Sequence, residues 1–204
     1  LVRQVEAYQS STFNIFNLLG VAQLEVSTHS ALLADLLNPE GSHCQQHLFL
    51  TAFLDYMCEN GFTGTRGKPF PNIDRKEAER TVWFMEREKS TSFGNMDIVI
   101  SSPDLKFLMV IENKIGAGEQ NDQLQRYANW MDDQHSYDED KRVLLYLTPG
   151  GDESLTSGSH EYFKISYEND IYKWLKETLP HVKATRVSQS IEQYLEVVQN
   201  LGTA

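Results

Sequence analysis

The sequence lacks any long apolar run. No stretch reaches the roughly eighteen residues that a membrane-spanning helix needs, so no transmembrane segment is predicted. The first residues, from Leu1 onward, show none of the charged and apolar pattern of a secretory signal, which indicates a protein that is not exported. Cysteine is scarce: Cys44 and Cys58 are the only two, and the absence of Cys-x-x-Cys spacing argues against a disulfide framework. We expect reduced thiols in a cytoplasmic protein.

Positive charge is also in short supply. The chain has 18 Lys and Arg against 29 Asp and Glu, which gives a formal net charge of −11. This balance argues against a generic basic coat for nucleic acid, because non-specific affinity for DNA comes mainly from phosphate neutralisation by Lys and Arg. It does not exclude a site in which clustered carboxylates bind cations. Much of the acidity lies at residues 132–133 and 138–140, which we expect to form an exposed loop.

The chain length of 204 residues suits one compact core, so residues 1–204 are expected to form a single domain. Apolar residues at helical spacing predict a helical N-terminal segment over residues 11–58. Ser27 or Thr28 is available to cap the second helix of that segment. Glycine and proline predict a loop over residues 60–75.

The central part, residues 80–150, has the pattern of strands. Turn residues separate three apolar or β-branched segments between residues 81 and 115, which predicts a three-stranded meander. A predicted helix then precedes the apolar run at residues 142–147, so this strand is expected to lie parallel to the third one. Ile165 is expected to add a short edge strand. The predicted fold is therefore α/β, with a mixed central sheet of four to five strands flanked by helices, two of them within residues 168–201.

Two carboxylates and one ammonium fall at neighbouring strand ends in this pattern. Asp97 stands in Met-Asp-Ile-Val-Ile, and Glu112-Asn113-Lys114 ends the apolar run from Phe107 to Ile111. Because side chains alternate along a strand, Glu112 and Lys114 are expected on one side and Asn113 on the other. Asp97 joins them if its strand pairs alongside. Such a cluster is the minimum equipment for metal-assisted cleavage of a phosphodiester.

This order of elements, with Asp97 followed by Glu112-Asn113-Lys114, resembles the PD-(D/E)XK nuclease superfamily, whose core is restriction-endonuclease-like. In the next helix, Gln123-Leu-Gln-Arg-Tyr127 is similar to the Gln-x-x-x-Tyr motif of the RecB-like branch. Glu25 is similar to the acidic residue that many members contribute from their first helix. One departure is Met96, because the first motif usually has proline before its Asp.

Further stretches resemble one bacterial and phage-associated subfamily of these nucleases. They run from Ser30 to Pro39, from Phe49 to Leu54 and from Leu144 to Pro149. The likeness spans residues 12 to 200, nearly the whole chain. It implies a nuclease that depends on Mg²⁺, with Mn²⁺ as a substitute, and whose substrate is DNA.

The resemblance also implies roles for individual residues. Asp97, Glu112 and the main-chain carbonyl of Asn113 are expected to hold the Mg²⁺ ion, which prefers oxygen ligands, and Glu25 is expected to hold a second ion or a water. Lys114 is expected to orient or help to deprotonate the attacking water, and to offset the charge that builds up on the phosphate.

Three more residues complete the expected site. Gln123 and Tyr127, one helical turn apart on one face, are expected to position the backbone of the nucleic acid or the lysine. Glu88 precedes the turn before Asp97 and is a lower-ranked acidic candidate. His29 is taken as an ordinary polar helix residue, although some relatives place a polar side chain near the site at this point.

Each part of this site also has a purely structural explanation. Glu112 and Lys114 can form an exposed ion pair, which contributes well under about 1 kcal/mol. Glu25 can be an acidic residue favoured at a helix start, while Gln123 and Tyr127 can be a polar edge and a core aromatic. The matching alternative function is a nuclease-fold domain without catalysis that serves as an interaction module. A homo-oligomer, or a partner subunit that supplies the positive surface, also stays open.

Two other groups of residues are interpreted as packing. His43, Cys44 and His47 have the spacing of metal ligands, but no second cluster completes a tetrahedral zinc site. Packing is also expected for the three tryptophans, because none lies in a basic stretch. They are Trp83, Trp130 and Trp174.

Overall fold

A computed structural model describes residues 12–201 of the chain. The N-terminal segment is helical, as predicted, although its predicted first residue, 11, lies outside the described range. It contains α1 (Ile15–Leu18), a π-helix (Glu25–Ser30) that continues into α2 (Ala31–Leu37), and α3 (Leu48–Glu59). The prediction that Ser27 or Thr28 caps a helix is wrong. Helical backbone already begins at Glu25, and Leu24 at the N-cap makes no side-chain hydrogen bond.

The loop predicted over residues 60–75 runs into a helix that the sequence patterns missed, α4 (Arg75–Arg80). Its start is set by Asp74, whose side chain accepts the main-chain N–H groups of Lys76 and Glu77. An acidic N-cap followed three residues later by Glu is a known start signal, and it was present in the sequence. The missing apolar stripe explains why the helix was overlooked.

Five strands form a single sheet in chain order. They are β1 (Phe84–Thr91), β2 (Gly94–Ser102), β3 (Phe107–Asn113), β4 (Arg142–Thr148) and β5 (Phe163–Ser166). The first three strands pair antiparallel, which confirms the meander. Strand β4 pairs parallel to β3, and β5 parallel to β4, so Ile165 does lie in an edge strand. The mixed sheet confirms the predicted fold class.

Helices cover this sheet on both faces. The crossover from β3 to β4 contains α5 (Gln123–Asp132). After β5, a π-helix (Tyr167–Ile171) continues into α6 (Tyr172–Thr178), and α7 (Thr185–Gln199) is the last of the seven α-helices within residues 12–201. None of the helices in this range is both long and apolar enough to cross a lipid bilayer.

Side-chain alternation divides the core into two layers. Ile98 and Ile111 point into the larger layer, where Trp174 of α6 packs. Val110 points into the smaller layer, against Leu124 of α5. Because Glu112 follows Val110 by two positions, it lies on the α5 side of the sheet. This register decides which helix can supply partners to the carboxylate.

The three tryptophans and His43 have the packing roles that the sequence predicts. Trp83 and Trp174 are buried in the larger layer, which confirms packing roles. Trp130 is half-buried and packs against the smaller layer, as predicted, and the ammonium of Lys89 lies 5.8 Å from its ring centre. His43 packs edge-on against Phe49 at 5.0 Å, as the packing interpretation requires.

Candidate active site

The β2–β3 ladder ends at the residues that the sequence singles out. Ile98 and Ile111 form its last pair, and Asp97 and Glu112 come next on the two strands. Beyond this pair a side chain continues the hydrogen bonding between the strands. Oδ2 of Asp97 accepts the main-chain N–H of Asn113 at 2.8 Å. The Asp97 carboxylate is thereby held at the end of β3, and only 8% of the residue is exposed.

Glu112 is fully buried, with 0% of its surface exposed. Its Oε1 atom lies 2.8 Å from Nζ of Lys114 and accepts a hydrogen bond of 2.5 Å from Nε2 of Gln123. Its Oε2 atom has no hydrogen-bond partner among the residues that the structure describes. An unpartnered carboxylate oxygen is costly in the interior of a protein, so this atom marks a position where a ligand would be stabilised.

Lys114 links Glu112 to the N-terminal segment. Nζ of Lys114 lies 3.6 Å from Oε1 of Glu25, the first residue of the π-helix. The other oxygen of Glu25 accepts the main-chain N–H of Ile115 at 2.7 Å. Glu25 therefore lies beside Lys114 and Ile115. No local sequence pattern predicts a contact between residues so far apart in the chain.

Helix α5 supplies the remaining contacts of Glu112. Nε2 of Gln123 donates to Glu112 and, at 3.1 Å, to the hydroxyl of Tyr127. The Tyr127 hydroxyl in turn donates to the main-chain carbonyl of Asn95, at the start of β2. The two residues do share one face of the helix. Gln123 bonds the carboxylate of Glu112 rather than the ammonium of Lys114, and Tyr127 is connected to that carboxylate through Gln123.

Burial and mutual repulsion set the protonation of the carboxylates. Burial raises the pKa of Glu112 to about 8, and the charge of Asp97 adds to the rise. Burial raises the pKa of Asp97 to about 6, against the hydrogen bond from Asn113. Burial alone lowers the pKa of Lys114, but Glu112 and the other nearby carboxylates outweigh it, so its pKa is raised. One ammonium thus faces more acidic groups than it can neutralise.

Glu88, the lower-ranked candidate, lies beside this cluster. In the β1–β2 pairing it falls between the pairs Arg87 with Ile98 and Lys89 with Met96, which places it opposite Asp97. It is exposed and has φ of 51°, a left-handed backbone that breaks the regular strand. Its charge contributes to the raised pKa of Asp97, which shows that the two carboxylates are neighbours.

The side chain of Asn113 points away from Glu112, as strand alternation predicted. Its Nδ2 atom donates to Oγ of Ser30 at 3.0 Å and to the main-chain carbonyl of Glu25 at 3.3 Å. Its Oδ1 atom accepts from the hydroxyl of Tyr167 at 2.8 Å. Ser30 and Tyr167 were missed in the sequence, where the only signal was an amide at the end of a buried strand.

The expectation that His29 is an ordinary polar helix residue is wrong. It is 0% exposed, and its ring bridges two segments. Nε2 lies 2.9 Å from the carbonyl of Ala22, and Nδ1 lies 2.8 Å from the hydroxyl of Tyr194 in α7. Burial lowers the pKa of His29, so the neutral ring is favoured.

A mixed sheet with helices on both faces, and with acidic groups and a lysine at the ends of β2 and β3, defines the restriction-endonuclease-like class of α/β proteins. Comparison of the sequence with family models identifies the family within that class. Residues 13–196 match the family model described as PD-(D/E)XK nuclease superfamily, and the chain belongs to that superfamily. No curated protein and no solved structure gives a significant match.

Nucleases of this superfamily typically use divalent metals, so the donor set must suit such an ion. Within residues 12–201, no three His, Cys, Asp or Glu side chains are arranged as a metal site. The fit rests instead on the free Oε2 of Glu112 and the adjoining carboxylate of Asp97. These are hard oxygen donors with excess negative charge, which suits Mg²⁺ or Mn²⁺.

Proposed function

We propose that the protein is a Mg²⁺-dependent nuclease that hydrolyses phosphodiester bonds in DNA, and that Mn²⁺ can replace Mg²⁺. The observation that carries the proposal is the buried, unpartnered Oε2 of Glu112, which lies on a carboxylate next to both Asp97 and Lys114. Membership of the nuclease superfamily supports the reaction class. The likeness to bacterial and phage-associated members supports DNA as the substrate.

In this proposal, Asp97, Glu112, Glu25 and the main-chain carbonyl of Asn113 hold the cation. The bound cation supplies Lewis-acid chemistry: it lowers the pKa of water and stabilises negative charge on the attacking and leaving oxygens. Glu25 is the outermost of these groups. Its carboxylate is already engaged by Lys114 and by the N–H of Ile115, so it contributes charge at the edge of the site.

Lys114 is the proposed catalytic cation of the chain itself. Its ammonium is held between the carboxylates of Glu112 and Glu25, and these neighbours favour its charged form. A charged donor in a largely buried position can orient the attacking water and offset the charge that develops on the phosphate. Only 11% of its side chain is exposed, which limits competition from bulk water.

Gln123 and Tyr127 complete the proposed site as supports for Glu112. Gln123 holds Oε1 of that carboxylate, which leaves Oε2 directed away from the helix contacts. Tyr127 fixes Gln123 and ties it to β2 through Asn95. Partners of this kind orient a ligand and tune its basicity.

The direct test is cleavage of plasmid and single-stranded DNA by the purified protein with Mg²⁺, with Mn²⁺, or with a chelator. We expect cleavage only with a divalent cation, and loss of cleavage in Asp97→Asn without a fall in melting temperature. The Asn variant keeps the shape of the side chain and removes its charge. A wild-type protein that binds DNA but never cuts it would instead support the interaction-module alternative.

We also propose a cytoplasmic location. The thiols of Cys44 and Cys58 are both free, as expected for a reducing compartment. Self-association, through which a second copy would add surface near the site, is tested by size-exclusion chromatography with light scattering. A foreign partner requires a pull-down.

A further inference from the structure

Five buried polar side chains form a network on the side of β3 opposite Glu112. Each is 0% exposed, and they come from four separate segments of the chain. They are His29, Ser30, Asn113, Tyr167 and Tyr194. An apolar core needs no such groups, and each of them must find a partner to avoid a cost of about 1–3 kcal/mol. The segments that this network holds in place therefore indicate its role.

Asn113 is the centre of the network, and its amide can face only one way. Its two N–H groups are directed at Oγ of Ser30 and at the carbonyl of Glu25. Its oxygen accepts the proton of Tyr167. A flipped amide would set its oxygen against the Glu25 carbonyl, which cannot donate. The carbonyl of Glu25 therefore sets which way the amide faces, and the hydroxyl of Tyr167 holds the amide oxygen in that orientation.

His29 anchors the same π-helix at a second point. The carbonyl of Ala22 can only accept, so Nε2 of His29 carries the proton. Nδ1 of the neutral ring then accepts the hydroxyl proton of Tyr194. The π-helix at Glu25–Ser30 is thus bound to α7 through His29 and to the end of β3 through Ser30 and Glu25.

We propose that Asn113, oriented by Tyr167, is a positioning residue of the nuclease that holds Glu25 at the site through its main chain. The role rests on the proposed function, since it assigns Glu25 to the cation. Glu25 is bound through both its main chain and its side chain. Its carbonyl is bound by the side chain of Asn113, while its carboxylate reaches Lys114 and Ile115. Asn113, which lies between Glu112 and Lys114 in the sequence, therefore positions Glu25 through its side chain.

The test is the variant Tyr167→Phe, which removes one hydroxyl and preserves the ring. Two quantities are measured without DNA: the affinity for Mn²⁺ by titration calorimetry, and hydrogen exchange of the amides in residues 25–30. We expect Mn²⁺ binding to weaken by about tenfold, as for other partners that orient a metal ligand. Exchange in residues 25–30 is expected to rise several-fold because the Asn113 side chain, which bonds these residues to β3, is no longer held by Tyr167.

The matched control is Tyr56→Phe. Tyr56 is also buried, and its hydroxyl donates at 3.1 Å to Asp170, which lies in the π-helix that begins at Tyr167. The substitution therefore removes a hydrogen bond of the same kind from that π-helix without touching Asn113, Ser30 or Glu25. We expect it to lower the melting temperature similarly and to leave both measured quantities unchanged. Equal changes in the two variants, or no change in exchange for Tyr167→Phe, would overturn the proposal.

Two further outcomes are also decisive. If Tyr167→Phe does not fold, Ser30→Ala removes a different hydrogen bond of the same Asn113 side chain, the one from Nδ2 to Oγ of Ser30, and is expected to give the same two changes. If the wild-type protein binds no Mn²⁺, the proposed function fails. The exchange measurement then still decides whether Asn113 and Tyr167 hold the segment of Glu25.

Discussion

Nζ of Lys114 lies 2.8 Å from Oε1 of Glu112, while Oε2 of the same carboxylate has no partner within residues 12–201. The two residues are separated by one position on the chain, so strand geometry alone brings them together. The contact neutralises one side of a buried carboxylate and leaves the other side open. A carboxylate with a purely structural role is expected to have partners on both oxygens, as Glu119 has in the hydroxyls of Tyr146 and Ser154. The asymmetry therefore supports the proposal that Glu112 binds a ligand.

Lys114→Met is expected to reduce DNA cleavage by at least about 100-fold, because the ammonium is the charged donor closest to Glu112. The fold should survive. Without the ammonium, Glu112 can retain a proton at neutral pH, since its pKa is already raised to about 8. The measurements are plasmid nicking in Mg²⁺ and the melting temperature. Lys164→Met is the control, because Lys164 pairs with Glu153 on the surface. A loss of activity that merely follows a loss of folding would contradict a catalytic role.

Glu112→Gln and Glu119→Gln are expected to change stability in opposite directions at pH 8. The first substitution removes a buried charge that burial disfavours, so the free energy of unfolding should rise in the absence of divalent ions. Glu119 accepts hydrogen bonds from Ser154, Leu155 and Tyr146, and these outweigh burial to lower its pKa. Its replacement should therefore cost about 1 kcal/mol or more. Urea unfolding compares the two variants. Mg²⁺ should stabilise wild type and leave Glu112→Gln unaffected.

The stability of the metal-free protein is expected to fall as the pH rises from about 4.5 to 8. Asp97 and Glu112 have folded pKa values of about 6 and about 8, above their unfolded values, so the folded state binds more protons in this window. Stability is then present at low pH and is lost as each group ionises, by at most about 1.4 kcal/mol per pH unit for each group. Urea unfolding with a chelator measures the slope. Glu112→Gln should flatten it above pH 6.

Binding of Mn²⁺ should show the reverse dependence. The cation must displace the proton on Glu112, so its affinity is expected to rise by up to about tenfold per pH unit between pH 6 and 8. Titration calorimetry in buffers of different ionisation enthalpy would count the released protons. A pH-independent affinity would show that Glu112 is not a ligand.

Local rules predicted correctly how the strands place the side chains at the end of β3. Alternation with a period of two placed Glu112 and Lys114 together and Asn113 on the other face, because that period depends only on the backbone. The order of strands followed from the turns and from the helical crossover. The resemblance then supplied Glu25, although nothing local sets its distance from Lys114.

The network behind the site could not be predicted from the sequence. Tyr167 lies 54 positions after Asn113, and Tyr194 lies 165 positions after His29. Such pairs depend on how α7 and the π-helices pack, which no periodicity encodes. The π-helical backbone at Glu25 also explains the failed cap at Ser27, since it extends the helix beyond the start that helical spacing indicated.

Gln123→Leu is expected to lower kcat by about tenfold and to raise the Mg²⁺ concentration needed for half-maximal rate, because Gln123 orients the carboxylate of Glu112. KM for DNA should stay unchanged, since the amide contacts protein groups. Tyr127→Phe is the matched comparison. It leaves Gln123 beside Glu112 and removes the bonds of the hydroxyl to Gln123 and Asn95, so it should cost about 1 kcal/mol of stability and affect the rate less. Steady-state kinetics over a Mg²⁺ series separate the two roles. A higher KM with unchanged Mg²⁺ dependence would show that Gln123 binds the nucleic acid directly, and its contact with Glu112 would then be incidental to catalysis.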